Sequence, residues 1–392
     1  MLKHLVIENY RSCVRTSFDL QPHLSVLIGP NGSGKTNILQ TIMLINKLTW
    51  QRESPWRGVV ATGNSRIRML FQEGAVAAQL KVSFDAFKTE TANDPQLDAS
   101  QQWRLKQENG QQAAFEAPLA LPSFMGLAWA KYPRYWNARG RGSHGRRRLI
   151  VREPVPLWAS NALFRVAKFC RGIKYYGASQ FTDPGACPVS FEVDEEGAFV
   201  GSFRRRGHAK VLYDMYSAHQ SSSDGRYDRF IDIVGPHGLG LIDKLAFRSY
   251  RTSTASYSVR VGGKVEIRKR NTLLIIPQFK IGRLTLSPNQ LSEGTFKTLA
   301  LLFHVITEDS HVLLIEEPEV CVHHGLLSSI LELVKSYSQR RQVIISTHSD
   351  YVLDHVEPES VYSVSFDKSI GTRVRHIPKA MSRRDFSALK DY

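Results

Sequence analysis

The sequence predicts an α/β fold. A glycine-rich loop lies between a short apolar strand and an amphipathic helix, and a second apolar strand ends in adjacent carboxylates. Toward the C-terminus, buried strands alternate with helices, as they do when helices cover a largely parallel sheet. The 392 residues, 42% hydrophobic and 22% charged, have the balance of an ordinary globular chain and correspond to roughly one to three domains. That composition excludes a disordered chain, a collagen and a coiled-coil rod.

No apolar run approaches the ~18 residues of a membrane span. The opening Met1–Glu8 alternates and carries charge, unlike a signal peptide. Cys13, Cys170, Cys187 and Cys321 are scattered without a CxxC pair, which fits a reducing compartment and argues against a disulfide framework or structural zinc. A cytoplasmic protein without membrane contact is expected. Lys and Arg outnumber Asp and Glu by 52 to 36, giving a net charge of +16. Such a surface attracts polyanions, nucleic acid first among them.

The elements follow in order. Residues 2–8 and 14–20 read as strands about a turn, and Leu24–Ile28 as a buried strand entering a loop at Gly29. Thr36 to Trp50 has helical spacing, with Ile38, Leu39, Ile42, Ile45 and Leu48 on one side. Residues 65–72 and 76–84 look like paired strands. From 86 to 168 the pattern weakens into a polar and then Arg/Gly-rich stretch, read as an insertion, partly loop. Ile173–Gly177 returns to strand, 189–200 suggests a hairpin, and 207–250 is mixed, with a helix near 227–234. Strands are expected at 257–261, 264–268 and 273–276. Thr295–Ile306 is a helix, His311–Ile315 a buried strand, Leu326–Tyr337 a helix and Gln342–Ser346 a buried strand. Residues 200–285 read as a helical and strand subdomain preceding the 295–306 helix.

Gly29-Pro30-Asn31-Gly32-Ser33-Gly34-Lys35-Thr36 satisfies G-x-x-x-x-G-K-[ST], in the strand–loop–helix context that motif needs. Glycines let backbone N–H groups converge on phosphate oxygens, and the helix N-terminus adds partial positive charge. Asn31 to Thr36 are therefore expected to bind ATP, Lys35 reaching the β and γ phosphates and Thr36 ligating Mg²⁺. The strand ending in Glu316-Glu317-Pro318-Glu319 supplies the carboxylates such a site requires. Glu316 is assigned to the metal and Glu317 to orienting or deprotonating water. His348, just past the next strand, is placed to support the γ phosphate or the water. His323 and His324 point apart on a helix, and a structural role is favoured over a metal site.

Together these motifs resemble the ABC-type ATPase heads of the RecF, Rad50, SMC and OLD group, above all the stand-alone OLD-like bacterial ATPases that lack a Toprim domain. Ile7–Ser12 is similar to that group's opening strand and turn. Gly29–Thr36 is its Walker A loop, and Leu291-Ser292-Glu293-Gly294 its signature. Glu316–Glu319 is similar to Walker B with the start of the D-loop, and Ser346–Ser349 to the switch-histidine segment. The resemblance implies a single ABC-type head over 1–392, with a mixed sheet, flanking helices and the 86–168 segment inserted.

It also implies ATP sandwiched between two copies, in a homodimer or higher homo-oligomer. Ser292 and Gly294 of one copy would face the γ phosphate held by the other, although Ser292 also reads as an ordinary N-cap. Arg11 joins the nucleotide-contacting residues. A glutamine ligating Mg²⁺ is expected, Gln180 first and Gln72 second. Glu316 stands where Asp is usual, and His324 where relatives often have proline. No zinc hook or long heptad run is present. Little chain follows His348, so any nuclease is expected from a separate effector protein, nuclease or toxin.

Two basic stretches complete the reading. Arg139, Arg141, Arg146, Arg147 and Arg148, with interleaved aromatics upstream, form one; Arg204, Arg205 and Arg206 form the other. They suit nucleic-acid backbone contact, with a protein interface or a solvated loop as alternatives. The biological roles weighed are anti-phage defence, RecF-like DNA repair, and a nucleotide-gated scaffold with little turnover.

Overall fold

Alternation of apolar and polar residues builds the first sheet. In the computed structural model, which describes residues 1–50, 64–86, 97–118, 156–200, 207–221, 225–259, 265–307, 310–320, 322 and 324–377, that sheet belongs to one of two compact units. The first unit joins Met1–Tyr175, Asp309–Glu317 and Val334–Tyr392; the second joins Tyr176–Glu308 and Pro318–Leu333.

In the first unit, β1 (Leu2–Tyr10), β2 (Cys13–Asp19), β4 (Ser65–Glu73), β5 (Val76–Ala86), β6 (Leu97–Gln107) and β7 (Gln112–Pro118) form a six-stranded sheet in the order β2-β1-β4-β5-β6-β7. Every neighbouring pair is antiparallel. Ile7, Ile67, Met69, Leu80, Val82, Trp103 and Leu105 turn one face into the core. The intervening Glu8, Arg66, Lys81 and Arg104 turn the other outward, as period-two side chains must.

The second sheet is mixed, in the order β17 (Gly371–His376), β16 (Val361–Asp367), β3 (Leu24–Ile28), β15 (Gln342–Thr347), β14 (Val312–Glu316), β8 (Ile173–Gly177). The strands β16, β3, β15 and β14 run parallel, and β17 returns antiparallel on β16. Every residue of β3, β14 and β15 is buried, as in parallel strands covered on both faces. Helix α1 (Lys35–Trp50) buries Ile38, Leu39, Ile42 and Ile45. Helix α2 (Leu157–Arg171) sets Phe169 edge-on to Phe71 of β4, ring centroids 5.8 Å apart. The Asn46 amide of α1 reaches the carbonyls of Cys170 and Arg171 at the end of α2 and of Ile173 at the start of β8, at 3.0–3.1 Å, where the last helical carbonyls look for donors outside the helix.

Gln342 ties the two sheets together. Its side-chain amide accepts from Leu2 N at 3.1 Å and donates to Leu2 O at 2.8 Å, as a strand's backbone would.

The second unit packs helices α3 (Gly207–Gln220), α4 (Arg226–Val234) and α5 (Glu293–Thr307) with a sheet of β10 (Phe199–Val200), β9 (Phe191–Asp194), β12 (Val265–Ile281) and β11 (Lys244–Val259); β13 (Leu284–Leu286) pairs with β12. Aromatic contacts hold it, with Phe230 edge-on to Phe303 at 5.3 Å and His208 against Phe296 at 4.8 Å. Helix α6 (His324–Ser338) begins in this unit and ends in the first; α7 (Asp350–Asp354) follows β15.

The structure departs from the sequence reading in several places. The polar stretch inside 86–168 carries β6 and β7, which extend the first sheet. Among their described side chains Trp103 and Leu105 are buried and the intervening Arg104 and Lys106 exposed, so polar residues dominate the composition. The segment read as mixed after 207 opens with α3, whose buried Val211, Leu212 and Met215 lie at helical spacing. The short strands expected between 257 and 276 are parts of two long paired strands, in register from Lys244↔Lys280 to Val259↔Val265. The β16–β17 hairpin and α2 were not anticipated. Arg139, Arg141, Arg146, Arg147 and Arg148, and likewise Arg204, Arg205 and Arg206, lie outside the described residues.

Candidate nucleotide site

The loop that leaves β3 is shaped by what packs behind it. A Cβ on Gly29 would lie 2.0 Å from the Val364 carbonyl oxygen of β16. Gly34 has φ +103, and a Cβ there would lie 2.1 Å from Thr372 Oγ1 of β17. Only glycine allows both the backbone turn and this approach. Asn31 and Gly32 are exposed at the tip, while Ser33 and Lys35 are buried. Lys35 Nζ donates to the carbonyls of Gly29 at 2.6 Å and Pro30 at 3.0 Å. The first turn of α1 has no acidic residue, so its positive end faces no side-chain anion of its own.

The carboxylates converge on the same place. Glu316 pairs in register with Ser346, Ser346 with Leu27, and Thr347 with Ile28. The ends of β14, β15 and β3 therefore align at the carboxyl edge of the parallel strands, where open α/β sheets bind ligands. Glu316 is 8% exposed. Thr36 donates to its Oε1 and Tyr175, from β8, to its Oε2. Burial, and then the hydrogen bond to Glu316 with the charges of Glu316 and Glu317, push the Tyr175 hydroxyl well above the usual phenol range. It is a fixed donor at physiological pH.

Glu317 has a left-handed backbone, φ +48, and its N–H bonds Ser346 O at 2.8 Å. That conformation is strained for a residue with a Cβ, and it turns Glu317 out of the strand. The carboxylate then lies 3.7 Å from His348 Nδ1, both side chains about one-third to two-fifths exposed.

A buried polar network supports the loop from behind. Thr372 Oγ1 lies 2.9 Å from the Ser33 carbonyl and 2.8 Å from Ser12 Oγ, and Asn37 Nδ2 donates to Ser12 Oγ at 2.7 Å. Arg11, φ +52, donates to Asn37 Oδ1 at 3.3 Å and to Gln40 Oε1. The turn that carries Arg11 and Ser12 is thus bound to α1.

Ser292, Gly294 and Gln180 belong to the second unit. Ser292 Oγ accepts from Thr295 N at 3.1 Å, so the hydroxyl caps α5. This is the N-cap alternative open in the sequence, and the residue remains exposed. Lys297, 1% exposed, binds Glu293 Oε1 at 2.6 Å. Gln180 is exposed on the 3₁₀ turn Ala178–Phe181. The Gln72 amide, in the first unit, bonds the Gly74 carbonyl at 2.7 Å.

The structure brings the expected loop, both carboxylates and His348 together in one unit. The sequence alone marks neither Tyr175, Asn37 and Thr372 nor a role for Ser12 beyond its place in the opening turn. Tyr175 reaches Glu316 because β8 lies beside β14, and Thr372 because β17 packs near β2; sheet order and packing leave no local signal.

The residues suit a magnesium–phosphate group. Thr36 and Glu316 offer hard hydroxyl and carboxylate oxygens, and the hydroxyls of Ser33 and Ser346 are buried without a protein partner. Among the described residues no cluster of three or more His, Cys, Asp and Glu forms a metal cage. This is the lean donor set on which magnesium relies when phosphates and water complete its shell. No described helix is long and apolar enough to cross a membrane, which says nothing of β-barrel spans.

Comparison with known proteins gives the following. A family model described as an AAA ATPase domain matches residues 1–108. A second, described as an AAA domain, putative AbiEii toxin, type IV toxin–antitoxin system, matches residues 258–354. The DNA replication and repair protein RecF of Leptospira interrogans serovar copenhageni is 35% identical over 82 residues, 21% of this chain and 22% of that protein. RecF of Lacticaseibacillus casei is 43% identical over 44 residues, 11% and 12% of the two chains. The chain thus spans about a fifth or less of the length of these curated relatives.

Among solved structures, an SMC head bound to the C-terminal winged-helix domain of ScpA aligns over 97% of this chain and 99% of its own, at 12% identity and TM-score 0.47. The SMC head domain from Thermotoga maritima aligns over 96% and 99%, at 13% identity and TM-score 0.41. The family models cover the two segments that hold Lys35, Thr36, Glu316, Glu317 and His348. Both matched segments are thus similar to AAA-type ATPase domains, and a stretch of the chain is similar to part of RecF.

Proposed function

We propose that the protein binds and hydrolyses ATP, and that nucleotide-driven self-association controls its engagement with nucleic acid or with a separate effector protein. The observation that carries this reading is the meeting of Thr36 with Glu316 beside the glycine loop, with Glu317 held outward next to His348. Asn31 to Thr36 wrap the phosphates, Lys35 exchanging its two carbonyls for phosphate oxygens. Thr36 and Glu316 hold Mg²⁺, which when bound neutralises charge on the phosphates; Gln180 or Gln72 is the further metal residue. Glu317 orients water and takes its proton, and His348 supports the γ phosphate. Arg11 stands at the nucleotide's side of α1. Ser292 and Gly294 of a second copy close the site.

An anti-phage role, in which the ATPase restrains or releases a nuclease or toxin, is favoured by the match of residues 258–354 to the model described as a putative AbiEii toxin. A RecF-like repair role is favoured by the RecF segment. The test is a pair of variants read by calorimetric ATP titration and phosphate release. Lys35→Ala loses nucleotide binding. Glu317→Gln keeps binding and loses turnover. Equal hydrolysis by Glu317→Gln and the parent would refute the assignment.

A further inference from the structure

The outward face of the first sheet carries a groove lined by Glu8, Arg66, Arg68, Gln79, Lys81, Gln102 and Arg104. We infer that this face binds the phosphate backbone of double-stranded nucleic acid. Strand register fixes the arrangement. Lys81 sits directly opposite Arg68. Arg66 lies on one diagonal from Lys81, and Arg104, across β6, on another. Like charges directly opposite on a sheet destabilise it; Arg68 faces Lys81 in this way, and Arg66 faces Glu8 across β1, so positive charge stays in excess over the one acidic partner.

Glu8 is the one carboxylate of the lining. It binds Arg68 at 3.2 Å, leaving three positive charges in excess. Arg15 on β2, exposed and opposite Glu8, and Lys106 on β6, also exposed, continue the band on the same face. With neighbouring strands about 4.8 Å apart, the band from β2 to β6 is roughly 19 Å wide.

The chemistry selects the occupant. A duplex carries about one charge per 1.7 Å of its axis. Arg and Lys meet phosphates, and the Gln79 and Gln102 amides donate to the same oxygens, without reading bases. No aromatic ring lines the groove, so it offers no stacking platform for a single strand. Nor does it offer an apolar pocket to anchor an acidic protein segment. The chain's net charge of +16 acts in the same direction. The inference deepens the nucleic-acid half of the reading above by naming its surface.

The test uses the full chain and a labelled random-sequence DNA duplex, with anisotropy measured between about 50 and 200 mM salt. The triple variant Arg66→Gln/Lys81→Gln/Arg104→Gln is expected to bind more weakly and to flatten the slope of log affinity against log salt by about 2.7, about 0.9 for each lost phosphate contact. Arg66→Lys/Arg104→Lys is expected to keep the parent slope. ATP binding, read on the same preparations, verifies the fold; a protein that hydrolyses ATP and ignores duplex rejects this surface alone. An unchanged slope in the triple variant overturns the inference. So does loss confined to Arg146→Ala/Arg147→Ala/Arg148→Ala, and so does a poly-glutamate probe bound more tightly than duplex at this face.

Discussion

Tyr175 and Glu316 share a hydrogen bond between neighbouring strands, the phenol donating to Oε2 while Thr36 holds Oε1. A carboxylate 8% exposed is fixed in rotation by this pair. Groups that orient a metal-ligating carboxylate typically contribute 10- to 100-fold to metal affinity. Tyr175→Phe is expected to raise the Mg²⁺ concentration for half-maximal ATP hydrolysis by about tenfold. It is also expected to lower stability by about 1–3 kcal/mol, seen in denaturant unfolding without nucleotide. An unchanged Mg²⁺ dependence would remove Tyr175 from the site.

Thr372 is fully buried and reaches both Ser12 and the Ser33 carbonyl. Thr372→Val keeps the shape and deletes the hydroxyl, taking its donor from the Ser33 carbonyl at a cost of about 1–3 kcal/mol, while Ser12 keeps Asn37. Because the affected carbonyl lies in the phosphate loop, weaker ATP binding is expected with little change in kcat. Calorimetry with steady-state kinetics separates the two; a stability loss without a change in nucleotide affinity would make the hydroxyl purely structural.

The left-handed backbone of Glu317, φ +48, is strained for any residue with a Cβ. Glu317→Gly relieves that strain, and stability is expected to rise by about 1 kcal/mol while turnover disappears. Glu317→Gln should lose turnover without the gain. Matching unfolding midpoints for the two variants would show that the backbone there is unstrained.

His208 is buried against Phe296 and Phe181, with Nε2 lacking a protein partner. Burial lowers its pKa from 6.5, against a smaller opposing effect of Asp183. The unfolded chain therefore takes up the proton first. The stabilisation of the neutral ring is complete above about pH 6.5 and is lost as pH falls below it toward the lower folded value. Melting at pH 7 and pH 5 should differ more for the parent than for His208→Phe. Equal differences would show that the ring escapes to solvent.

Legibility in the sequence followed the range of the signal. The glycine loop, its helix and the Glu316 strand are local patterns, and the structure puts them where periodicity does. The second sheet's buried strands were read to within a residue or two because β3, β14 and β15 are apolar throughout. The strands β6 and β7 were hidden because a sheet with one wet face presents Gln, Arg and Lys at every second position, which resembles loop composition. The 3.6-residue period of α3 was obscured by buried His208 and by polar residues between Val211 and Tyr216. Tyr175 and Thr372 act through strand order. Their nearest partners in the site are separated from them by 141 and 360 residues, and no pattern within either segment marks the meeting.

The bond between Gln342 and Leu2 spans 340 positions, and it sets a schedule for assembly. The first unit cannot close as its opening strands leave the ribosome, since the strand that staples them is translated far later. Loop closure over such separations slows folding. The glycine loop therefore exists for most of synthesis without Glu316, His348 or Thr372, and a nascent chain acquires Glu316 and Glu317 only after the Tyr176–Glu308 part of the second unit has emerged.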